Sequence, residues 1–292
     1  MSKTLMRGLR LLESIDVHGP IAVTALARLS GIDTSIVSRE ITALERDGWV
    51  VRNDAKVELG PRAALLAHSS SAATAVRQAE PLVHAVAGVT GLLTQAYGLV
   101  GNRAVVFAAA GGRGPETPVG LGTSVPLFAT AAGKTIASQL DSAELGRRLP
   151  SEPYPDPAAE LARLVGFPPI ADALLSGADG QLSSTASVAV DRAGLDAQLD
   201  ALRREGVAVD SGELHPEMGC IAMAWPRPGV PAALACMGAP ADLASVDLVV
   251  RTALAAATRS GARPEDIVAR TATVIRARLP ARRRPSAAKA AR

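Results

Sequence analysis

The chain has 292 residues, with 31 Lys and Arg against 28 Asp and Glu, for a formal charge of +3. Hydrophobic residues make up 48% and aromatics only 2%, enough for one or two cores, built from Ala, Val, Leu and Ile. Two cysteines, Cys220 and Cys236, exclude a disulfide framework, the N-terminal charges exclude a signal peptide, and no apolar run reaches the roughly 20 residues that span a bilayer. The expectation is a cytoplasmic, reduced protein with no membrane partner.

Leu5, Leu9 and Leu12 repeat at helical spacing and predict one apolar stripe on a first helix. The His18-Gly19-Pro20 stop ends it. A second short helix, "TALARLSG", has Thr24 as a capping candidate and Gly31 as its terminator. In "IDTSIVSREITALERDGW", Asp33 or Thr34 can cap a third helix that stops near Gly48. "WVVRNDAKVELG" then carries two alternating runs around Asn53-Asp54-Ala55-Lys56 and predicts a β-hairpin. Residues 62–80 read as a linker helix, with a new helix starting at Pro81.

Residues 81–272 predict a second domain of mixed strands and helices. "LLTQAYGLV" and "RAVVFAAA" pair around Gly101-Asn102, and "TSVPLF" and "QLSSTASVAV" are further strand candidates. "ATAAGKTIASQL" and "DAQLDALRREG" have helical spacing. "GCIAMAWP" and "AALACMGA" are apolar strands, and 241–258 is a long helix. From Arg276 onward there are seven basic residues and no acidic one. Residues 273–292 therefore read as a basic, disordered tail that either solubilises the chain or touches nucleic acid.

The third helix carries the most information. At 100° per residue, Val37, Ile41 and Leu44 fall within about 40° of one another and form the inward face. Ser35, Arg39, Thr42 and Arg46 fall opposite, with Ser38 at the flank and Thr34 at the start. Hydroxyls and guanidiniums on one exposed face can address base edges and phosphates. A helix, a tight glycine turn, this helix and a hairpin, in that order, make a winged helix-turn-helix. Arg52 and Lys56 on the hairpin are then candidates for backbone contacts as a wing.

"ATAAGKTIA" looks like the end of a phosphate loop, but such a loop needs a glycine five residues before Gly133. Phe128 stands there, so the stretch is not a nucleotide cradle. No Gly-x-Ser-x-Gly elbow appears. Cys220 with His215 is a poor nucleophile candidate. Asp210, Glu213, His215, Glu217 and Cys220 lie near one another in a loop-like stretch, without metal-site spacing. No cofactor, metal or catalytic residue is expected.

At this point the chain resembles a known family. "RGLRLLESIDVHGPIAVTALARLSGIDTSIVSREITALERDGWVVR" is similar to the winged helix of IclR-type bacterial regulators. "VPLFATAAGKTIAS", "LDALRREGVAVDSGELHPEMGCIAMAWP" and "AALACMGAP" are similar to motifs of that family's second domain, in the same order. The resemblance covers residues 4–258. It implies an α+β chain: a DNA-binding winged helix (1–61), a linker helix (62–80) and a GAF-like α/β effector domain (81–272). It also implies a homodimer or tetramer on a near-palindromic double-stranded operator.

The resemblance implies a small-molecule effector as well, usually an organic or aromatic acid, beside Ala131, Ala132, Gly133, Asp210 and Cys220. Two serines of the family's pocket correspond to Ala235 and Met237. With Cys236 and Met223, Met237 is expected to form an apolar wall suited to a more hydrophobic metabolite. Two rival readings are a ligand-binding module that uses its winged helix for protein contacts, and a GAF-domain enzyme.

Overall fold

A computed structural model describes residues 3–68, 71–111, 121–157, 189, 191–215, 218–227 and 230–278. The chain divides into two compact units, Met1–Ala75 and Val76–Arg292. The expected strand "QLSSTASVAV" lies almost wholly outside the described residues.

The first unit opens with α1 (Lys3–His18), the two-residue strand β1 (Ile21–Ala22) and α2 (Val23–Ser30). Gly31 closes α2 in the left-handed region, at φ +62, and its N–H bonds back to the Ala27 and Arg28 carbonyls. Glycine adopts that conformation without steric cost. The N-cap of α2 is Ala22, with no side-chain bond, so Thr24 does not cap it. Asp33 caps α3 (Thr34–Arg46) by accepting the Ser35 N–H. The hairpin β2 (Val50–Asn53) and β3 (Lys56–Leu59) follows, with β1 added to the outer side of β3. Asp54 takes the positive-φ position of the turn, at 56°.

Leu11, Ile15, Leu26, Val37, Ile41, Val50 and Val57 form this unit's core. The stripe expected on α1 is therefore corrected. Leu5 and Leu9 are exposed, at 61% and 44%, while Leu11 and Ile15 are buried. The helix carries two apolar faces, and the one that packs against α2 and β3 is Leu11-Ile15.

After α4 (Pro61–His68), α5 runs from Ser71 to Thr90 with Pro81 inside it. Pro81 does not start a new helix. It lies on the exposed side, where the carbonyl it leaves unbonded can be hydrated. Ala79, Leu82, Val83 and Val86 on the other side are buried, and this packing holds the helix through the proline.

The second unit is a six-stranded antiparallel sheet in the order β6-β5-β4-β9-β8-β7. Its strands are β4 (Leu93–Val100), β5 (Arg103–Ala110), β6 (Ser124–Pro126), β7 (Ala208–His215), β8 (Met218–Ala224) and β9 (Ala232–Gly238). Period-2 alternation sends successive side chains to opposite faces. One face packs α6 (Ala131–Ala137), α7 (Ser142–Arg148) and α8 (Arg192–Glu205), through Ile136, Leu145, Leu195 and Leu199. The other packs α5, α9 (Pro240–Ala257) and α10 (Pro264–Arg278), through Val86, Leu254 and Ile267.

In the second unit, β7 falls where the sequence predicts a loop, and α10 has no predicted counterpart. α10 runs through 273–278, which corrects the start of the expected tail; residues 279–292 lie outside the described residues.

Candidate nucleic-acid interface and ligand pocket

Burying Val37 and Ile41 fixes the rotation of α3. Thr34, Ser35, Arg39, Thr42 and Arg46 are left exposed, and Ser38 is half-buried. The Ser35 hydroxyl donates to Asp33 Oδ1 at 2.5 Å, so toward an outside partner it is an acceptor. Thr42 bonds the Ser38 carbonyl. Arg39 Nε reaches only the Ser35 carbonyl, at 3.3 Å, and Arg46 stands 3.8 Å from Asp47. Both guanidiniums keep most of their donors for another molecule.

The hairpin residues differ from one another. Lys56 is exposed. Arg52 folds back onto α3: its Nε donates to Glu45 Oε2 at 2.9 Å and its Nη2 to Thr42 Oγ1 at 3.4 Å. Its charge is therefore answered within the unit. Arg7 on α1 and Glu40 on α3 form a further ion pair that the sequence reading missed.

The second unit holds a small internal pocket between α6 and β7–β9. Tyr97, Thr130, Ala132, Asp210, Cys220 and Met237 are among its walls, and its volume is about 10 Å³, the space of roughly one water. Asp210 is 4% exposed. Its Oδ1 accepts the N–H groups of Gly212 and Glu213, at 2.9 and 2.7 Å. Burial nevertheless holds its carboxyl above the usual carboxylate range. Burial also raises Cys220 well above an ordinary thiol, so it is a protonated wall and not a thiolate nucleophile.

Thr130 starts α6 with φ 64, a rare conformation for a β-branched residue. Two bonds hold it there. Its N–H donates to Glu213 Oε2 at 3.1 Å, and its Oγ1 accepts the Gly133 N–H at 3.1 Å. The other carboxylate oxygen of Glu213 takes the ammonium of Lys134, which also donates to Gln198 on α8 at 3.1 Å. A wider groove of about 310 Å³ lies against this pair, walled by Gln198, Leu202, Glu205 and Val207 among others. Among the described residues, no group of three or more His, Cys, Asp and Glu could hold a metal ion. The side chain of His215 and all of Glu217 lie outside them.

The MarR family model matches residues 6–56, from α1 into β3. No curated protein matches the sequence. Solved structures match nearly the whole chain. The IclR protein of Thermotoga maritima superposes with a TM-score of 0.57 at 18% identity, over 88% of this chain and 97% of that one. An IclR homolog from Microbacterium hydrocarbonoxydans, crystallised with 4-hydroxybenzoate, gives 0.58 at 19%, over 91% and 100%. An IclR transcriptional regulator from Alicyclobacillus acidocaldarius gives 0.53 at 19%, over 88% and 96%.

The chain has the IclR-type fold. On it, the expected pocket residues divide. Ala132, Asp210, Cys220 and Met237 do line the cavity. Ala131, Gly133 and Ala235 are buried nearby but are not among its walls. A Cβ at Gly133 would collide with the Pro126 carbonyl oxygen, so close backbone packing alone accounts for glycine there. Cys236 and Met223 belong to the opposite face of the sheet, where Cys236 meets Thr94; they build no wall with Met237.

Tyr97, Val125, Thr130, Met218 and Gly219 line the pocket of this IclR-type fold and were missed. Strand alternation was the available signal for part of this. Cys236 and Met237 are adjacent on one strand and cannot share a face. Among the described residues, no helix is long and apolar enough to cross a membrane.

Proposed function

We propose that this chain is a sequence-specific, DNA-binding transcriptional regulator whose DNA affinity responds to a small molecule held in the second unit. The observation that carries the reading is the exposed face of α3. Arg39 and Arg46 stand there beside Thr34, Ser35 and Thr42, on a helix whose rotation the core has fixed. Such a face places guanidinium forks and small polar groups where major-groove base edges and phosphates lie. Lys56 adds a backbone contact from the hairpin, and Arg52 orients the hairpin against α3.

The protein acts as a homodimer, with tetramers as a further assembly, on a near-palindromic operator. The exposed Leu5 and Leu9 of α1 and Leu65 and Leu66 of α4 support this, because a monomer gains nothing from such apolar surface. The small molecule sits at the pocket of Ala132, Asp210, Cys220 and Met237. Coupling between the two sites is reciprocal, so DNA also changes the effector's affinity. No catalytic role is assigned to the pocket, where Cys220 is held as a thiol.

The test is fluorescence anisotropy with the DNA flanking the protein's own gene, comparing wild type with Arg39→Ala. Tight, salt-sensitive binding that the variant loses supports the reading. Binding no better than to random DNA, with and without a metabolite extract, would overturn it in favour of a winged helix that contacts protein.

A further inference from the structure

We propose that the groove between α8 and β7 is a second small-molecule site, separate from the pocket beside Asp210, and that it takes a neutral carbonyl compound, such as an amide, with an apolar body. The proposal holds whether or not α3 reads DNA. Three observations carry it. The first is size. The pocket beside Asp210 has room for roughly one water, whereas the groove holds about 310 Å³, within the range of small-molecule sites. Ala201 and Leu202 from α8, with Val207 and Val209 from the chain that enters β7, supply its apolar wall.

The second is a hydrogen-bond donor at the polar end. Lys134 walls the groove, although its side chain is only 8% exposed. An ammonium has three N–H donors. Glu213 takes one, and Gln198 takes another at 3.1 Å. The remaining donor is held where little water reaches it, and a buried donor without an acceptor costs its desolvation.

The third is charge. Glu213 already answers Lys134, so an anionic ligand gains little there. Glu205, exposed at the end of α8, adds a second carboxylate to the wall. Among the described walls, one cation (Lys134) stands against two anions (Glu205 and Glu213), a net charge of −1. A ligand carboxylate is repelled. A ligand cation finds only the solvent-screened Glu205 and meets an ammonium at the other end. A neutral carbonyl oxygen accepts the spare N–H without taking a further charge out of water.

Glu213 also ties this groove to the inner pocket. Its Oε2 accepts the Thr130 N–H at 3.1 Å, and Thr130, held at φ 64, walls the pocket beside Asp210. A carbonyl on Lys134 alters the carboxylate that holds Thr130, which makes the Thr130 amide a reporter of occupancy.

The experiment is calorimetry and amide NMR on the full chain with cyclohexanecarboxamide, cyclohexanecarboxylate and cyclohexylmethylamine, which share one apolar body. At pH 7 the carboxamide binds most tightly and shifts the Thr130 N–H resonance. The carboxylate and the amine bind at least about tenfold more weakly. Ala201→Trp fills the groove and removes carboxamide binding. Glu205→Gln leaves carboxamide affinity unchanged and brings the carboxylate about threefold closer to it. Glu205 is exposed, so this second variant keeps the fold and decides the matter even if Ala201→Trp does not fold.

No carboxamide binding, a carboxylate that binds as tightly as the carboxamide, or carboxamide binding that survives in folded Ala201→Trp overturns the inference. So does a carboxylate-to-carboxamide ratio that Glu205→Gln leaves unchanged. A silent Thr130 resonance places the ligand away from Lys134 and overturns it as well.

Discussion

Lys134 and Glu213 meet inside the second unit with side chains only 8% and 3% exposed. The ammonium comes from α6 and the carboxylate from β7, and Gln198 of α8 shares the nitrogen. Three elements are therefore joined at one atom. Removing one partner leaves the other charged, buried and unpaired, which costs on the order of 3–5 kcal/mol. Lys134→Met is expected to destabilise by that amount in urea unfolding, and Lys134→Met with Glu213→Leu by much less. If the double variant is as unstable as the single one, the pair is not the source of the effect.

The pH dependence follows from the same residues. Burial raises Asp210 and Glu213 above their ordinary carboxyl values. The folded state therefore takes up protons before the unfolded chain does. Stability contributed by these groups then falls as pH rises through their folded values, opposite to an ordinary salt-bridged acid. Replacing Asp210 with Asn should flatten the part that Asp210 contributes, seen as a smaller difference in unfolding midpoint between pH 5 and pH 7.

Arg39 and Arg52 are both exposed arginines of the first unit, yet different outcomes are expected. Arg39→Ala should weaken operator binding by about 1–3 kcal/mol and relax discrimination at one base position. Arg52→Ala removes a guanidinium already answered by Glu45 and Thr42. It should cost DNA binding less than Arg39→Ala does, and change stability by no more than about 1 kcal/mol. Anisotropy at two salt concentrations separates them, and equal losses would mean that Arg52 leaves Glu45 when DNA arrives.

Gly133→Ala tests whether the small residue serves packing or ligand space. A methyl group there meets the Pro126 backbone oxygen, and neither backbone can yield cheaply. The second unit should lose several kcal/mol, read as an early thermal transition. A variant that folds normally and only loses ligand would favour the ligand-space role.

Leu11→Ala should destabilise the first unit by about 2–5 kcal/mol, as expected for a fully buried leucine. Leu9→Ala should leave the unfolding midpoint of a dilute monomer nearly unchanged and weaken self-association, measured by sedimentation. The two leucines are two residues apart, so equal destabilisation would contradict the observed rotation of α1.

Much of the first unit was legible because its signals are local. Asp33 before a helix, Gly31 after one and Asn53-Asp54 between alternating runs each constrain the backbone whatever surrounds them. The choice between the Leu5-Leu9 and Leu11-Ile15 faces of α1 is not local. Both are apolar, and only the packing of α2 and β3 decides. Pro81 misled for the same reason, since its helix survives on buried contacts with the second unit's core.

β7 was hidden by its polarity. "AVDSGELH" is an edge strand whose pairing shifts between Ser211 and His215. Its acids point inward to backbone N–H groups and to Lys134, an arrangement that reads as loop composition. The pocket's position was legible from motif order. Its lining was not, because Tyr97, Val125 and Met218 reach it only through strand pairing.

The contact between Arg52 and Glu45 bears on how such a protein would find its site. Each cation that neutralises a phosphate releases counterions, and this sets the grip on random sequence. With Arg52 answered inside the fold, the described face of the first unit offers chiefly Arg39, Arg46 and Lys56 for that purpose. If the proposed function holds, residence on unspecific DNA would then be short, and occupancy of an operator would depend on base recognition by α3 more than on phosphate contacts.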